Sequence, residues 1–198
     1  MNLYSFGKPI VKLFYQLTFK IQVIGLENVP GQGGVLICSN HLSNFDPPMV
    51  GVSLSRPLSF VAKSELFDIP GFGRLLSHLN AFPIRRGTGD RGALRLAIKL
   101  IREGHALLIF PEGHRNLEHA PMKKGLSGAG FFALQTDAVV LPCAIIGNYR
   151  FRSTMKIIFG KPINTKEMKE LKLKSSEASA VIMEHIQALL DEHTGPTA

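Results

Sequence analysis

From Phe19 onward, short apolar runs alternate with amphipathic stretches, and this alternation narrows the choice of fold more than anything else in the chain. Residues 20–25, 35–38, 58–62, 82–85, 106–110, 138–145 and 155–159 read as strands, several of them apolar throughout. Helical patterns fall between them, from about residue 47 and over 74–79, 90–103 and 126–135, and a charged helical stretch covers 165–192. The segment 90–103 is the clearest. Ala93, Leu94, Ala97, Leu100 and Ile101 share one face, Arg91, Arg95, Lys99 and Arg102 form a basic stripe, and Gly104 is placed to end the helix. In the last helix Ala178, Ile182, Ile186 and Leu189 lie on one side. Regular strand–helix alternation predicts one α/β domain with a central mixed, largely parallel sheet flanked by helices. A chain of 198 residues is long enough for one such core and short for two.

The first 26 residues contain Lys8, Lys12 and Lys20 but no acid. Leu3, Phe6, Ile10, Phe14 and Leu17 recur at steps of three or four, which places them on one face of an N-terminal amphipathic helix. Pro9 is expected to break or kink this helix early. The division expected is thus a membrane-associating helix over 1–18 and a catalytic-type domain over 19–198. A basic, aromatic helix of this kind suits the lipid interface, and packing on the domain is the competing role. Nowhere does an apolar run reach the length of a spanning helix. The richest stretch, 125–149, is cut by Asp137, several glycines and Pro142. A secretory leader pattern is not evident. These features predict a peripheral (monotopic) protein.

Open α/β sheets take ligands in the crevice at the carboxyl ends of their strands. Three polar segments are expected there: NHLSNFDP after the strand at 35, FPIRRG around the strand at 82, and FPEGHRN after the strand at 106. In the first, His41 and Asp46 would stand about 140° apart on a straight helix. A turn between them lets the carboxylate fold back onto the imidazole. Asp46 also precedes Pro47, a favoured first helical residue, so it is suited to capping. The two roles are compatible, since one oxygen can cap while the other holds the ring. A histidine held by a carboxylate is a general base suited to taking a proton from an alcohol. Ser43 lacks the glycine-flanked elbow of a serine hydrolase, and Cys38 sits in an apolar strand. Direct attack by a substrate hydroxyl is therefore expected, without a covalent enzyme intermediate.

Arg85, Arg86, Arg115, Lys123 and Lys124 lie near glycines, an arrangement suited to phosphate oxygens. Glu112 can hold an arginine or bind a hydroxyl, and Pro-Glu-Gly is also an ordinary turn. The spacing of Glu112, His114, Glu118 and His119 matches none of the familiar zinc patterns, and no metal is expected. Cys38 and Cys143 read as free buried thiols.

Taken in order, these segments resemble the glycerolipid acyltransferases, most closely the bacterial 1-acyl-glycerol-3-phosphate acyltransferases. NHLSNFD is similar to the family's NHxxxxD block, FPIRR to its second block with the arginine at Arg86, FPEGHR to FPEGTR, and VLPC to the fourth element at Leu141 and Pro142. His114 departs from the usual Thr or Ser, Arg85 stands where the family is often acidic, and Cys143 stands where Val is common. The resemblance implies that His41 deprotonates the sn-2 hydroxyl of lysophosphatidic acid while Asp46 orients the ring. It further implies that the alkoxide attacks the thioester of acyl-CoA or acyl-carrier protein, giving phosphatidic acid for phospholipid biosynthesis. Arg86, Glu112, Gly113, Arg115 and Lys123 would hold the acceptor, with no cofactor. It places the protein on the cytoplasmic face of the cell membrane.

The net charge of +8 attracts an anionic membrane or a phosphorylated substrate. With no Trp and only 3 Tyr, the stacking platform of a nucleic-acid binder is missing, and nucleic acid is not an expected partner. Two other readings stay open: an acyltransferase with another glycerolipid or lyso-lipid acceptor, and a non-catalytic protein that binds anionic membranes.

Overall fold

The computed structural model describes residues 3–85, 90–116, 122 and 125–194. Strands β1 (Lys20–Ile24), β2 (Val35–Ser39), β3 (Leu58–Lys63), β4 (Ala81–Ile84), β5 (Ala106–Ile109), β6 (Val139–Ile146) and β7 (Thr154–Phe159) form one sheet. Its order is β1-β7-β6-β2-β5-β3-β4. Every neighbouring pair is parallel except β6 with β7, which run antiparallel from Cys143↔Phe159 to Ile146↔Lys156. The mixed, largely parallel sheet expected from the alternation is therefore present.

The centre of the sheet explains why its strands are uniformly apolar. Residues 35–39 of β2 are all buried, between β5 and β6. A strand covered on both faces has no polar side to show. Val35 and Ile37 join one core with Met49, Leu58, Leu108 and Ile145. Leu36 and Cys38 point into the other, with Ala97, Ile101, Phe132 and Ile182. Two layers of helices supply these cores. Helices α1 (Leu3–Thr18), α2 (Asp46–Ser53) and α3 (Phe72–His78) lie over the first, while α4 (Arg91–Arg102), α5 (Gly128–Gln135), α6 (Thr165–Glu170) and α7 (Ser175–His193) cover the second. α5 and α7 pack so closely that a Cβ on Gly130 would sit 2.0 Å from the Ser175 carbonyl oxygen.

Local chemistry fixes the ends. Asp90 caps α4, its Oδ1 accepting from the amides of Gly92 and Ala93 at 3.1 Å each, and its Oδ2 accepts from the Arg85 amide at 3.1 Å. Those backbone N–H groups hold its carboxyl below the usual range. At the edge of the sheet away from the polar loops, the Arg56 guanidinium donates to the carbonyls of Pro30, Gly33 and Gly104, tying three turns together.

Two expectations need correction. Pro9 lies inside α1 and does not end it. The ring removes one amide near the helix start, and the following turns are held by Val11 and Tyr15 packing on the first core. The stretch 165–192 is two helices, since Lys172 takes a left-handed backbone (φ 51°) and a new helix starts at Ser175. The break is reinforced by Glu177, whose carboxylate accepts from the Lys174 amide at 2.6 Å.

Candidate active site

β2, β4, β5 and β6 all deliver their carboxyl ends to the same edge of the sheet. Buried Asn40 begins the loop after β2 by accepting from the Ile145 amide at 2.7 Å and donating to the Ile145 carbonyl at 2.9 Å. This two-way bond fixes the loop to the end of β6. The next residue, His41, is 7% exposed, which leaves a narrow opening to its ring.

The turn between His41 and Asp46 folds the carboxylate back over its own loop. The Nδ1–H of His41 donates to Asp46 Oδ2 at 2.7 Å, and the same oxygen accepts from the amides of Leu42 at 2.7 Å and Ser43 at 2.8 Å. Asp46 is fully buried. These partners correct the capping expectation: Asp46 opens α2 as a helical residue, and its side chain makes no cap bond to the turn that follows. The other oxygen, Oδ1, is claimed by the hydroxyl of Tyr149, which donates to it from the loop after β6. Sequence reasoning missed Tyr149, because 103 residues separate it from Asp46 and only the β2–β6 pairing brings them together. Burial and the charge on Asp46 both push this phenol far up, so it remains a donor. Tyr15 of α1 adds a further brace by donating to the Phe45 carbonyl at 2.7 Å.

With Nδ1 committed as a donor, neutral His41 carries its free lone pair on Nε2. The ring stacks on Phe110 at 3.8 Å between centroids and 12° between planes, and the Asn116 amide donates to the His41 carbonyl at 2.7 Å. Both contacts come from the loop after β5, so the NHLSNFDP and FPEGHRN segments form one unit. Gly113 turns that loop with φ 71°, and a Cβ there would strike Leu126 at 2.4 Å. Glu112 is 2% exposed, and among the described residues no hydrogen-bond partner meets either of its carboxylate oxygens. His114 donates through Nδ1 to the Glu112 carbonyl at 2.7 Å, and Arg115 is exposed. Arg85 is exposed as well, while Arg86, Lys123 and Lys124, the remaining cations suited to a phosphate, lie outside the described residues.

Among the described residues, no enzyme nucleophile competes for Nε2. None of their hydroxyls or thiols hydrogen-bonds to it, and the Ser43 hydroxyl accepts instead from the Phe45 amide at 3.3 Å. Burial pushes the Cys38 thiol far up. Cys143 is pushed up to about 12, mainly by burial. Beside the dyad runs a groove of about 550 Å³ whose walls include Phe110, Val61, Phe82, Leu94, Ile109 and Phe132. Its lining is mostly apolar and suits a hydrocarbon chain.

A family model described as Acyltransferase matches residues 20–146, which include the dyad and Glu112. The chain belongs to the acyltransferase family. This acyltransferase is 29% identical to the 1-acyl-sn-glycerol-3-phosphate acyltransferase of Bacillus subtilis over 96% of each chain. A protein of the same description from Borreliella burgdorferi is 33% identical over 67% of this chain and 53% of its own. Among solved structures, the 1-acyl-sn-glycerophosphate acyltransferase PlsC from Thermotoga maritima matches with a TM-score of 0.70 at 25% identity, covering 94% of this acyltransferase and 79% of that chain. The acyl-transfer reading of the sequence therefore stands.

Proposed function

We propose that the enzyme moves a fatty acyl group from acyl-CoA or acyl-carrier protein to the sn-2 hydroxyl of 1-acyl-glycerol-3-phosphate, giving phosphatidic acid. The observation that carries this reading is the His41–Asp46 dyad, in which the Nδ1 bond to Asp46 leaves the Nε2 lone pair free and, among the described residues, no hydroxyl or thiol hydrogen-bonds to it. Nε2 takes the hydroxyl proton as the alcohol oxygen bonds to the thioester carbon. The tetrahedral adduct then expels the thiolate by breaking the C–S bond, and the imidazolium returns the proton to sulfur. Such a base contributes roughly 10²–10⁴ in rate. Thioesters are activated acyl donors, so the step needs no cofactor.

In this reading Glu112 and Gly113, joined to His41 through the Phe110 stack, meet the glycerol portion of the acceptor, which the unsatisfied Glu112 carboxylate supports. Arg115 with Arg86 and Lys123 supplies the positive charge that binds the phosphate. The apolar groove takes an acyl chain. The Bacillus subtilis relative, similar over nearly the full length of both chains, supports the acceptor.

Both acceptor and product are lipids, and α1 supports a peripheral place on the cytoplasmic face of the cell membrane. Tyr15 and Val11 pack inward, while Ile10, Leu13, Phe14 and Leu17 are exposed, Leu17 by 68%. Those four recur at helical spacing as one apolar row, which an anionic lipid interface would cover. No helix among the described residues is long and apolar enough to cross a membrane.

Three experiments test the proposal. His41→Ala should abolish acyl transfer to lysophosphatidic acid in mixed micelles, and retained transfer would remove the base assignment. A panel of lyso-acceptors presented with both thioester carriers should favour 1-acyl-glycerol-3-phosphate. Deleting residues 1–18 should release the protein from anionic vesicles, and undiminished sedimentation with them would return α1 to a packing role.

A further inference from the structure

Asp46 has two carboxylate oxygens, and the structure satisfies them from different parts of the fold. Oδ2 is held locally, by His41 and the amides of Leu42 and Ser43. Among the described residues, Oδ1 has one hydrogen-bond partner, the hydroxyl of Tyr149. The Tyr149 ring is itself fixed, edge-on to Phe19 at 5.5 Å and tilted against Phe45 at 5.7 Å.

We propose that Tyr149 is a positioning residue of the acyl-transfer site, holding Asp46 in the rotation that keeps His41 Nε2 directed at the acceptor hydroxyl. A carboxylate bonded at one oxygen can swing about its Cβ–Cγ bond, whereas one bonded at both cannot. The phenol also draws negative charge towards Oδ1, so it limits how strongly Asp46 stabilises the imidazolium. The proton stays on Tyr149 throughout, since burial and the neighbouring carboxylate both oppose its loss. Tyr15 from α1 and Cys143 from β6 also feel the charge on Asp46, and burial with that charge pushes both up, Cys143 to about 12. Both therefore stay protonated across the pH range in which an imidazole titrates. The inference rests on His41 acting as the base.

Tyr149→Phe keeps the ring and removes only the hydroxyl. We expect kcat to fall about tenfold to a hundredfold, the range of a lost hydrogen bond to a charged group, with KM for both substrates moving less than about threefold. The acid limb of the pH–rate profile should move to higher pH, because the full charge of Asp46 then acts on the imidazolium. In an Asp46→Asn background the same replacement should change kcat by less than about twofold, since its effect runs through that carboxylate. Incorporation of 3-fluorotyrosine at position 149, a stronger donor of nearly the same size, should move the acid limb the opposite way and keeps the test open if the Phe variant folds poorly. An unchanged kcat, equal losses in both backgrounds, or an acid limb that neither change displaces would overturn the assignment. If His41→Ala remains active, the base reading fails. If His41→Ala is inactive while Tyr149→Phe matches the parent, only the role of Tyr149 falls.

Discussion

Asp46 and Glu112 are both buried carboxylates on the same edge of the sheet, and their surroundings are opposites. Asp46 accepts from His41, from two backbone amides and from Tyr149. Glu112 has no hydrogen-bond donor among the described residues. Burying a carboxylate without partners costs several kcal/mol, so the two positions make different contributions to the free protein. Around Asp46 the site is complete before a substrate arrives, which suits a group that must hold a base in one tautomer. Around Glu112 the described residues leave the carboxylate unsatisfied, which suits a group that meets the acceptor. One half of the site is preorganised by its own hydrogen bonds, and the other holds a buried carboxylate that no described residue satisfies.

The largest effect should come from the completed half. Asp46→Asn cannot accept from all four donors, and its amide no longer stabilises the imidazolium. Acyl transfer should fall by about 10³–10⁴, the scale seen when a triad carboxylate is neutralised, and the melting temperature should fall with it. Activity within about tenfold of the parent would mean that the dyad geometry is incidental.

Glu112→Gln should reverse the stability half of that result. Replacing a buried carboxylate that has no partner among the described residues leaves the melting temperature unchanged or raises it, while KM for the lyso-acceptor should rise about tenfold or more as a carboxylate acceptor for its hydroxyl is lost. A lower melting temperature would show that Glu112 is already paired in the free protein, and the contrast with Asp46 would collapse.

The sequence carried much of this site, because β2 and β5 each end in a contiguous polar segment that reads as a unit. His41, Asp46, Glu112 and Gly113 were all accessible that way, and the structure adds the Phe110 stack and the Asn116 bond joining the two segments. Tyr149 was not accessible, since a lone tyrosine in GNYRF carries no local pattern. Its role depends on β6 pairing next to β2, a long-range fact. The capping role given to Asp46 failed for a related reason. Asp-Pro at a helix start fits a cap and a folded-back carboxylate equally well, and only the amides of Leu42 and Ser43 decide between them. The division of 165–192 into α6 and α7 was hidden by a linking stretch, KLK, with ordinary helix-forming side chains.

A smaller difference between the two halves should appear in alkali. Tyr149 and Tyr15 on the Asp46 side, together with Cys38 and Cys143, are protonated and uncharged in the fold, and burial holds each above its ordinary pKa. Below about pH 8.5 both folded and unfolded chains keep these protons, so the groups add no pH dependence. Above that, and above about pH 10 for the phenols, the unfolded chain loses protons that the folded one retains. Stability therefore falls as pH rises, by up to about 1.4 kcal/mol per pH unit for each such group. Thermal melts between pH 7 and 11 should show the decline, and Tyr149→Phe should make it shallower above pH 10 by about one group's share. Glu112→Gln should leave the slope unchanged, because a carboxyl group does not titrate in alkali. An equal flattening by both variants would mean that the two carboxylates share one electrostatic environment, and that the division of the site is not one of charge.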